Sequence, residues 1–387
     1  MKILLAAPFR LFFTACSAYA VIMLIGWTGF LFTGWPLADG MDPFKWHSHE
    51  MLFGFGGAAI AGFLLTAVAN WTQTKALSGA PLLALFTLWV LGRVGFWGSA
   101  YIPAPGRALL DLGFWLALLS YVTYLLFVQR STRNLPVAGI IALLTLANTF
   151  MHWGFISGQI RVLTAGQQWG LGLLALLIAM IGGRIIPLFS RNWLQQRGAN
   201  PNLVTQYALL DKTALITLLI WAVSLPLASG PLSGLLALIA ALLHSARLLF
   251  WRGWRMRAQP LLWILHLGYG WLVVSLWLQA LSRWFLLPPT VWQHTLAVGG
   301  LGTMILAVMT RVAMGHTGRP LALVKGGLFI YGFITLAAFT RLLTAVGVLA
   351  FTPGIMSSAV FWILAYGLFV ILYVPVLCAP RADGRAG

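Results

Sequence analysis

Residues 11–33, LFFTACSAYAVIMLIGWTGFLFT, contain no charged side chain. A helix needs about 20 mostly apolar residues to cross the roughly 30 Å hydrocarbon layer of a bilayer, and this run supplies them without a break. It is continuously apolar instead of alternating at every second residue, so it reads as a helix and not as the strand of a barrel. Phe13-Thr14-Ala15-Cys16 loosely resembles a lipoprotein cleavage box and Ala18-Tyr19-Ala20 a signal-peptidase site. The apolar run nevertheless continues to Phe32, beyond the about 7–15 residues of a signal core, and is expected to remain as a first spanning helix.

The rest of the chain repeats this pattern. Of 387 residues, 60% are hydrophobic and 8% charged, with a mean hydropathy of +0.91, whereas soluble domains carry charge on roughly 25% of their residues. Gly, Pro and Arg punctuation divides the sequence into twelve apolar runs: 11–33, 47–69, 80–100, 107–128, 136–156, 168–189, 207–228, 231–250, 260–284, 292–314, 322–347 and 356–378. Twelve helices of about 21 residues use roughly 250 positions, which leaves no room for a soluble domain. The expectation is an all-α polytopic bundle, one integral membrane domain over residues 1–387. The longest polar stretch, Arg191 to Gln206, is expected as a loop.

Lys and Arg are enriched in cytoplasmic loops. With the N-terminus inside, sixteen of them fall in inner segments, while only Lys45, Arg107, Arg161 and Arg283 fall outside. An even number of spans then places both termini in the cytoplasm. The formal charge of +18 fits anionic lipid headgroups better than nucleic acid, because the basic residues are spread between apolar runs. Cys16 and Cys378 lie far apart with no CxxC spacing and suggest neither a disulfide framework nor a zinc site. No G-x-S-x-G, H-E-x-x-H or phosphate-loop motif is present, and six acidic residues are too few for paired-carboxylate catalysis. The 19 tryptophans fit interfacial anchoring.

Ionisable groups inside spans are costly and default to functional candidates. His47 and His49 open the second span at its outer end, His152 lies near the outer end of the fifth, and His294 opens the tenth. These four are the candidate metal ligands. Residues i and i+2 of a helix lie about 200° apart, so His47 and His49 either face two sites or His47 swings round from a non-helical cap. Glu50, three residues after His47, is a candidate carboxylate to orient that imidazole from behind, or simply an acid in a first helical turn, as Asp111 and Asp211 are expected to be. Gly54, Gly57, Ala58, Ala61 and Gly62 form a small-residue face that permits close helix approach.

Toward the inner side, His244 and His266 each stand eleven residues from Arg255, the middle of the loop joining two antiparallel helices. Two imidazoles at equal depth suit the axial positions of one haem, although hydrogen-bonded helix contacts would place them equally well. Arg93, Arg184, Arg247 and Arg341 fall inside or at the edge of spans; haem propionates are candidate partners for some of them, and snorkelling toward lipid headgroups is the commoner explanation. Gly182-Gly183-Arg184-Ile185-Ile186-Pro187, and Arg311 with His316 within Thr310–Pro320, combine positive charge with helix ends and could bind an anion there. The ordinary alternative is a C-terminal helix cap followed by a lipid-facing basic loop.

Trp46-His47-Ser48-His49-Glu50-Met51, the continuation Gly62 to Thr72, the Gly183-Arg184 to Pro187 element and the run Thr310 to Pro320 closely resemble the NnrS family over nearly the whole chain. That resemblance implies a multi-pass protein of the bacterial inner membrane containing haem b and copper and linked to denitrification and defence against nitric oxide. It would act on nitric oxide as an oxidoreductase, or only bind it, with a membrane electron donor as a further partner. The resemblance carries no ligand assignment, so the candidate ligands rest on depth and chemistry. Histidines at matching depth on the second and tenth spans also resemble haem-copper oxidases, but the sixth and seventh spans hold no histidine and no His-His pair exists for copper. A secondary transporter of a small solute and a non-catalytic stress-response protein are the alternative readings.

Overall fold

Proline opens five of the long helices, where its missing N–H costs nothing and its fixed φ suits the first turn. Gly34 (φ 72°) and Gly158 (φ 71°) close two of them in the left-handed conformation that only glycine adopts without strain. The computed structural model describes residues 2–37, 40–227, 230–282 and 285–385, so Arg283 lies outside the described residues.

The described residues form twelve long helices: α1 (Pro8–Thr33), α2 (Pro43–Thr72), α3 (Gly79–Trp97), α4 (Ala104–Val128), α5 (Leu135–Ser157), α6 (Ile160–Gln196), α7 (Ala208–Ser224), α8 (Gly230–Phe250), α9 (Pro260–Leu281), α10 (Thr290–His316), α11 (Gly327–Ala345) and α12 (Phe351–Cys378). No strand occurs among the described residues.

Eleven helices among the described residues are long and apolar enough to cross a membrane, one fewer than the twelve runs suggest. The exception is α7, 17 residues long with Asp211 and Lys212 in its first turns and a turn from Leu225 onward. At 1.5 Å per residue it reaches about 25 Å, short of the hydrocarbon thickness. A second departure concerns Arg191 to Gln206: α6 continues through Pro187 to Gln196, so the first part of the expected loop is helix.

By its contacts the chain divides into two compact units. The first comprises residues Met1–Gly170, Val312–Pro320 and Tyr366–Gly387; the second comprises Leu171–Arg311 and Leu321–Ala365. In the first unit α2 is the enclosed helix, with 83% of its apolar window buried. Its small-residue face receives aromatic rings: a Cβ on Gly62 would stand 2.6 Å from Phe13, and one on Gly57 3.1 Å from Trp115. In the second unit α9 lies between α8 and α10, and Gly268 and Gly299 admit the Met304 backbone and the Trp271 ring.

Both α2 and α10 contain a wider, i→i+5 bonded stretch, at Glu50–Phe55 and Thr295–Gly302. Each follows directly on a histidine, His49 and His294. Such insertions free backbone carbonyls from the helix ladder and occur often at functional sites.

Candidate metal centre

Five helices of the first unit deliver polar side chains to one buried point: Tyr19 from α1, His49 and Glu50 from α2, Arg93 from α3, Asp111 from α4, and Asn148 and His152 from α5. The widened turn of α2 begins at Glu50. Two carbonyls in this stretch find outside partners, Gly54 O accepting from Trp89 Nε1 at 2.9 Å and Phe55 O facing Cys16 Sγ at 3.7 Å. The absence of side chains at two glycines makes room for the ion pair. A Cβ on Gly54 would fall on the Arg93 guanidinium, and one on Gly92 would stand 2.8 Å from Asp111 Oδ1.

Arg93 forks between the two carboxylates, donating from Nη1 to Glu50 Oε1 at 2.5 Å and from Nη2 to Asp111 Oδ1. Tyr19 donates its hydroxyl proton to Glu50 Oε2 and accepts from Trp97 Nε1 at 3.0 Å. On the other side, Asp111 Oδ2 accepts from Asn148 Nδ2 at 2.6 Å and from His152 Nε2 at 3.0 Å. His49 has its Nδ1 on Glu50 Oε1 at 3.0 Å and its Nε2 2.8 Å from Asn148 Oδ1 and 3.4 Å from Asp111 Oδ2. Its ring stacks on Phe96, with centroids 3.7 Å apart. Glu50, Asp111 and His49 are all fully buried.

The donor atoms of His49, Asp111 and His152 lie within 4.8 Å of one another. Two imidazole nitrogens and one carboxylate oxygen form a set that suits copper and zinc alike. His49 has the orientation that metal-bound imidazoles adopt, with one nitrogen toward the shared point and Nδ1–H held by a carboxylate behind it.

A family model described as NnrS protein matches residues 3–381. The chain belongs to the NnrS family. No match was found among curated proteins.

The NnrS chain thus joins His49 and His152, two of the four histidines named as candidate ligands, through an aspartate. His47 is turned the other way, as two-residue helical spacing requires, and its ring stacks on Trp27 at 4.3 Å. Glu50 therefore supports His49 and not His47, a correction that follows from its side chain being drawn toward Arg93 and Tyr19. His294 belongs to the second unit, where its Nδ1–H donates to Thr290 O at 3.0 Å.

The inner candidates also separate. His244 has Nε2–H on Ala214 O at 3.2 Å and Nδ1 on the Tyr269 hydroxyl at 2.5 Å. It has no nitrogen left for iron, so of the two readings offered for it with His266, the axial pair of a haem and a hydrogen-bonded helix contact, His244 fits the second. His266 donates from Nδ1 to Leu262 O at 3.0 Å, and its buried Nε2 makes no hydrogen bond. Arg311 lies over the Phe189 ring at 4.0 Å, and Arg184 is partly exposed on the same helix as Phe189. His316 packs against Phe9, with centroids 5.5 Å apart.

Sequence reasoning passes over Asp111, Asn148 and Tyr19 as site residues, and it marks Arg93 as an arginine within a span without assigning it carboxylate partners in the protein. Asp111 reads as a first-turn acid, but it is the eighth residue of α4 and fully buried. A carboxylate that far into an apolar span, together with Arg93 on the preceding span, is the signal that could have found them.

Proposed function

We propose that this NnrS protein is a copper- and haem-binding protein of the bacterial inner membrane that serves the nitric oxide response, and that His49, Asp111 and His152 hold its copper. The observation that carries the reading is the convergence of three buried donor atoms within 4.8 Å, backed by Glu50 on the far nitrogen of His49. Copper there would supply one-electron redox chemistry and an attachment point for a small diatomic ligand.

The protein's own groups divide the work. Asp111 supplies the anionic donor, and Arg93 balances one of the two carboxylates at this depth. Asn148 holds Asp111 Oδ2 with Nδ2, and its Oδ1, 2.8 Å from His49 Nε2, would give up that nitrogen to the metal. Phe96 covers one face of the His49 ring and excludes water from it. An uncharged gas such as nitric oxide reaches so apolar an enclosure through lipid without crossing a charged surface. Haem b enters the proposal through family membership; His244 and His266 are not its paired ligands, and no step is derived through it.

Metal analysis of the purified full chain tests the assignment. One copper per chain is expected, lost in His49→Ala and His152→Ala and kept in His47→Ala and His294→Ala. Copper retained in a His49→Ala/His152→Ala double variant would show that the cluster is only an ionic tie between helices.

A further inference from the structure

We propose that Tyr269 is a redox-active tyrosine, oxidised by one electron with His244 as the acceptor of its proton. The site lies in the second unit and is independent of any metal at the first-unit cluster. Tyr269, on α9, is completely buried, as is His244 on α8. The phenol oxygen lies 2.5 Å from His244 Nδ1 and 2.6 Å from Arg247 Nη1.

Donor accounting fixes the direction of each bond. A carbonyl only accepts, so His244 Nε2 carries a hydrogen for Ala214 O, and Nδ1 keeps a lone pair. Arg247 Nη1 has two hydrogens and three acceptors in reach, Tyr269 Oη at 2.6 Å, Ala179 O at 3.3 Å and His244 Nδ1 at 3.4 Å; the two shorter contacts take them. The hydroxyl proton of Tyr269 therefore points at His244 Nδ1. Asp211 Oδ1 accepts from Arg247 Nε at 2.7 Å and offsets the charge of the guanidinium. The chain of bonds ends at the Ala214 carbonyl, which passes no proton on, so the arrangement is a local shuttle and not a path across the protein. Trp251 meets the phenol ring at 4.6 Å between centroids and extends the aromatic system from which an electron can leave.

The oxidant is an uncharged, lipid-soluble one-electron acceptor of the nitrogen dioxide class, because a charged one would not reach a residue enclosed in this span. One electron passes from the phenol to nitrogen dioxide, giving nitrite. The Tyr269 O–H bond breaks as the Nδ1–H bond forms on His244. The products are a neutral tyrosyl radical and an imidazolium that keeps its bond to Ala214 O. Re-reduction by one electron returns the proton to the phenol.

The test mixes the full-length protein in detergent micelles with nitrogen dioxide and freezes samples for electron paramagnetic resonance. A tyrosyl radical is expected in the unaltered chain and is expected to vanish in Tyr269→Phe. In His244→Gln, which can accept a hydrogen bond but not hold the proton, formation should slow by about a hundredfold, the lower end of what a positioned base contributes. Undiminished radical in Tyr269→Phe, or an unchanged rate in His244→Gln, would overturn the proposal. A further measurement needs no substitution: protein grown with nitrogen-15 histidine should show hyperfine coupling between the radical and an imidazole nitrogen. A radical with no such coupling, as expected of the exposed Tyr101 or Tyr124, refutes the assignment.

Discussion

Replacing Asp111 by Asn keeps the shape of the side chain and removes its charge. Asp111 accepts from Arg93, Asn148 and His152; in the variant, one oxygen becomes an amide group that faces other donors. Removing one partner of a buried ion pair costs about 3–5 kcal/mol. Glu50 remains on Arg93 at 2.5 Å, so the lower end applies, about 3 kcal/mol, or a fall in Tm of about 6 °C at roughly 2 °C per kcal/mol for a large chain. The decisive quantity is the response to copper. At a copper concentration one hundred times Kd the unaltered protein gains about 2.7 kcal/mol, whereas a site weakened a hundredfold gains only RT ln 2, about 0.4 kcal/mol. Thermal unfolding in micelles, with and without copper, reads both effects separately. An Asp111→Asn protein that falls in Tm yet gains the full copper increment would refute the place of Asp111 among the ligands.

Further outcomes follow from other contacts. Gly54→Val places a side chain on the Arg93 guanidinium and should cost about 1–3 kcal/mol while lowering copper content without touching a ligand; copper analysis beside a melt checks both. Asp211→Asn leaves the buried Arg247 guanidinium without its counter-ion and should cost about 3 kcal/mol, against about 1 kcal/mol for Arg247→Met, which leaves only a carboxylate whose side chain is 23% exposed; paired melts that reverse this order would contradict the geometry. At the C-terminal end, Arg381 donates to both oxygens of Asp383 and holds its carboxyl down at about 2. A lowered folded-state value means the contact is present above the ordinary value of about 3.9 and lost as pH falls through about 2. Hydrogen exchange at the Ala382 amide, bonded to Thr317 O, should therefore accelerate as pH drops from about 4 to about 2 after correction for the intrinsic rate, and unchanged protection at the acid end would speak against it. Reporter fusions after Arg385 and within 197–207 are expected to report the cytoplasmic side, as the distribution of Lys and Arg requires; a C-terminal reporter on the opposite side would mean that α7 does not cross.

Much of the architecture was legible because a bilayer leaves a chain few choices. Most continuous apolar runs became helices within about five residues of their expected ends; α6 extends seven or eight residues beyond both of its own, and α7, which stops at Ser224 instead of 228, fell below the spanning length among the described residues. Depth along a helix was legible too, since it follows from counting, and it placed His49 and His152 in one layer. Rotation about the helix axis was not. An ideal helix places His47 and Glu50 on one face, but the bonding changes to i→i+5 at Glu50, and Arg93 and Tyr19 decide where that carboxylate points. The pairing of helices was equally hidden: nothing along the sequence states that Asp111 and Asn148 face His49, because both sit in runs whose apolar periodicity is too weak to define an inward side.

The buried cluster is better explained by binding than by stability. Two of the chain's six acidic residues are taken out of water with one arginine, although replacing a buried ionic group by apolar side chains of similar volume is often neutral or stabilising by about 1–4 kcal/mol. A bundle held together only by packing has no use for that arrangement. Interrupting the helix ladder of α2 beside it adds a further cost, and so does omitting side chains at Gly54 to admit the guanidinium and at Gly92 to admit Asp111. A proton or a metal ion bridging the nitrogens of His49 and His152 to Asp111 accounts for these features together, since Glu50 then orients one imidazole, Arg93 limits the net charge, and Asn148 joins both sides. A purely structural tie would tolerate exchange of Glu50 and Arg93 for a matched apolar pair, whereas a cation site would not, and the Glu50→Leu/Arg93→Met double variant separates the two by whether it still binds copper.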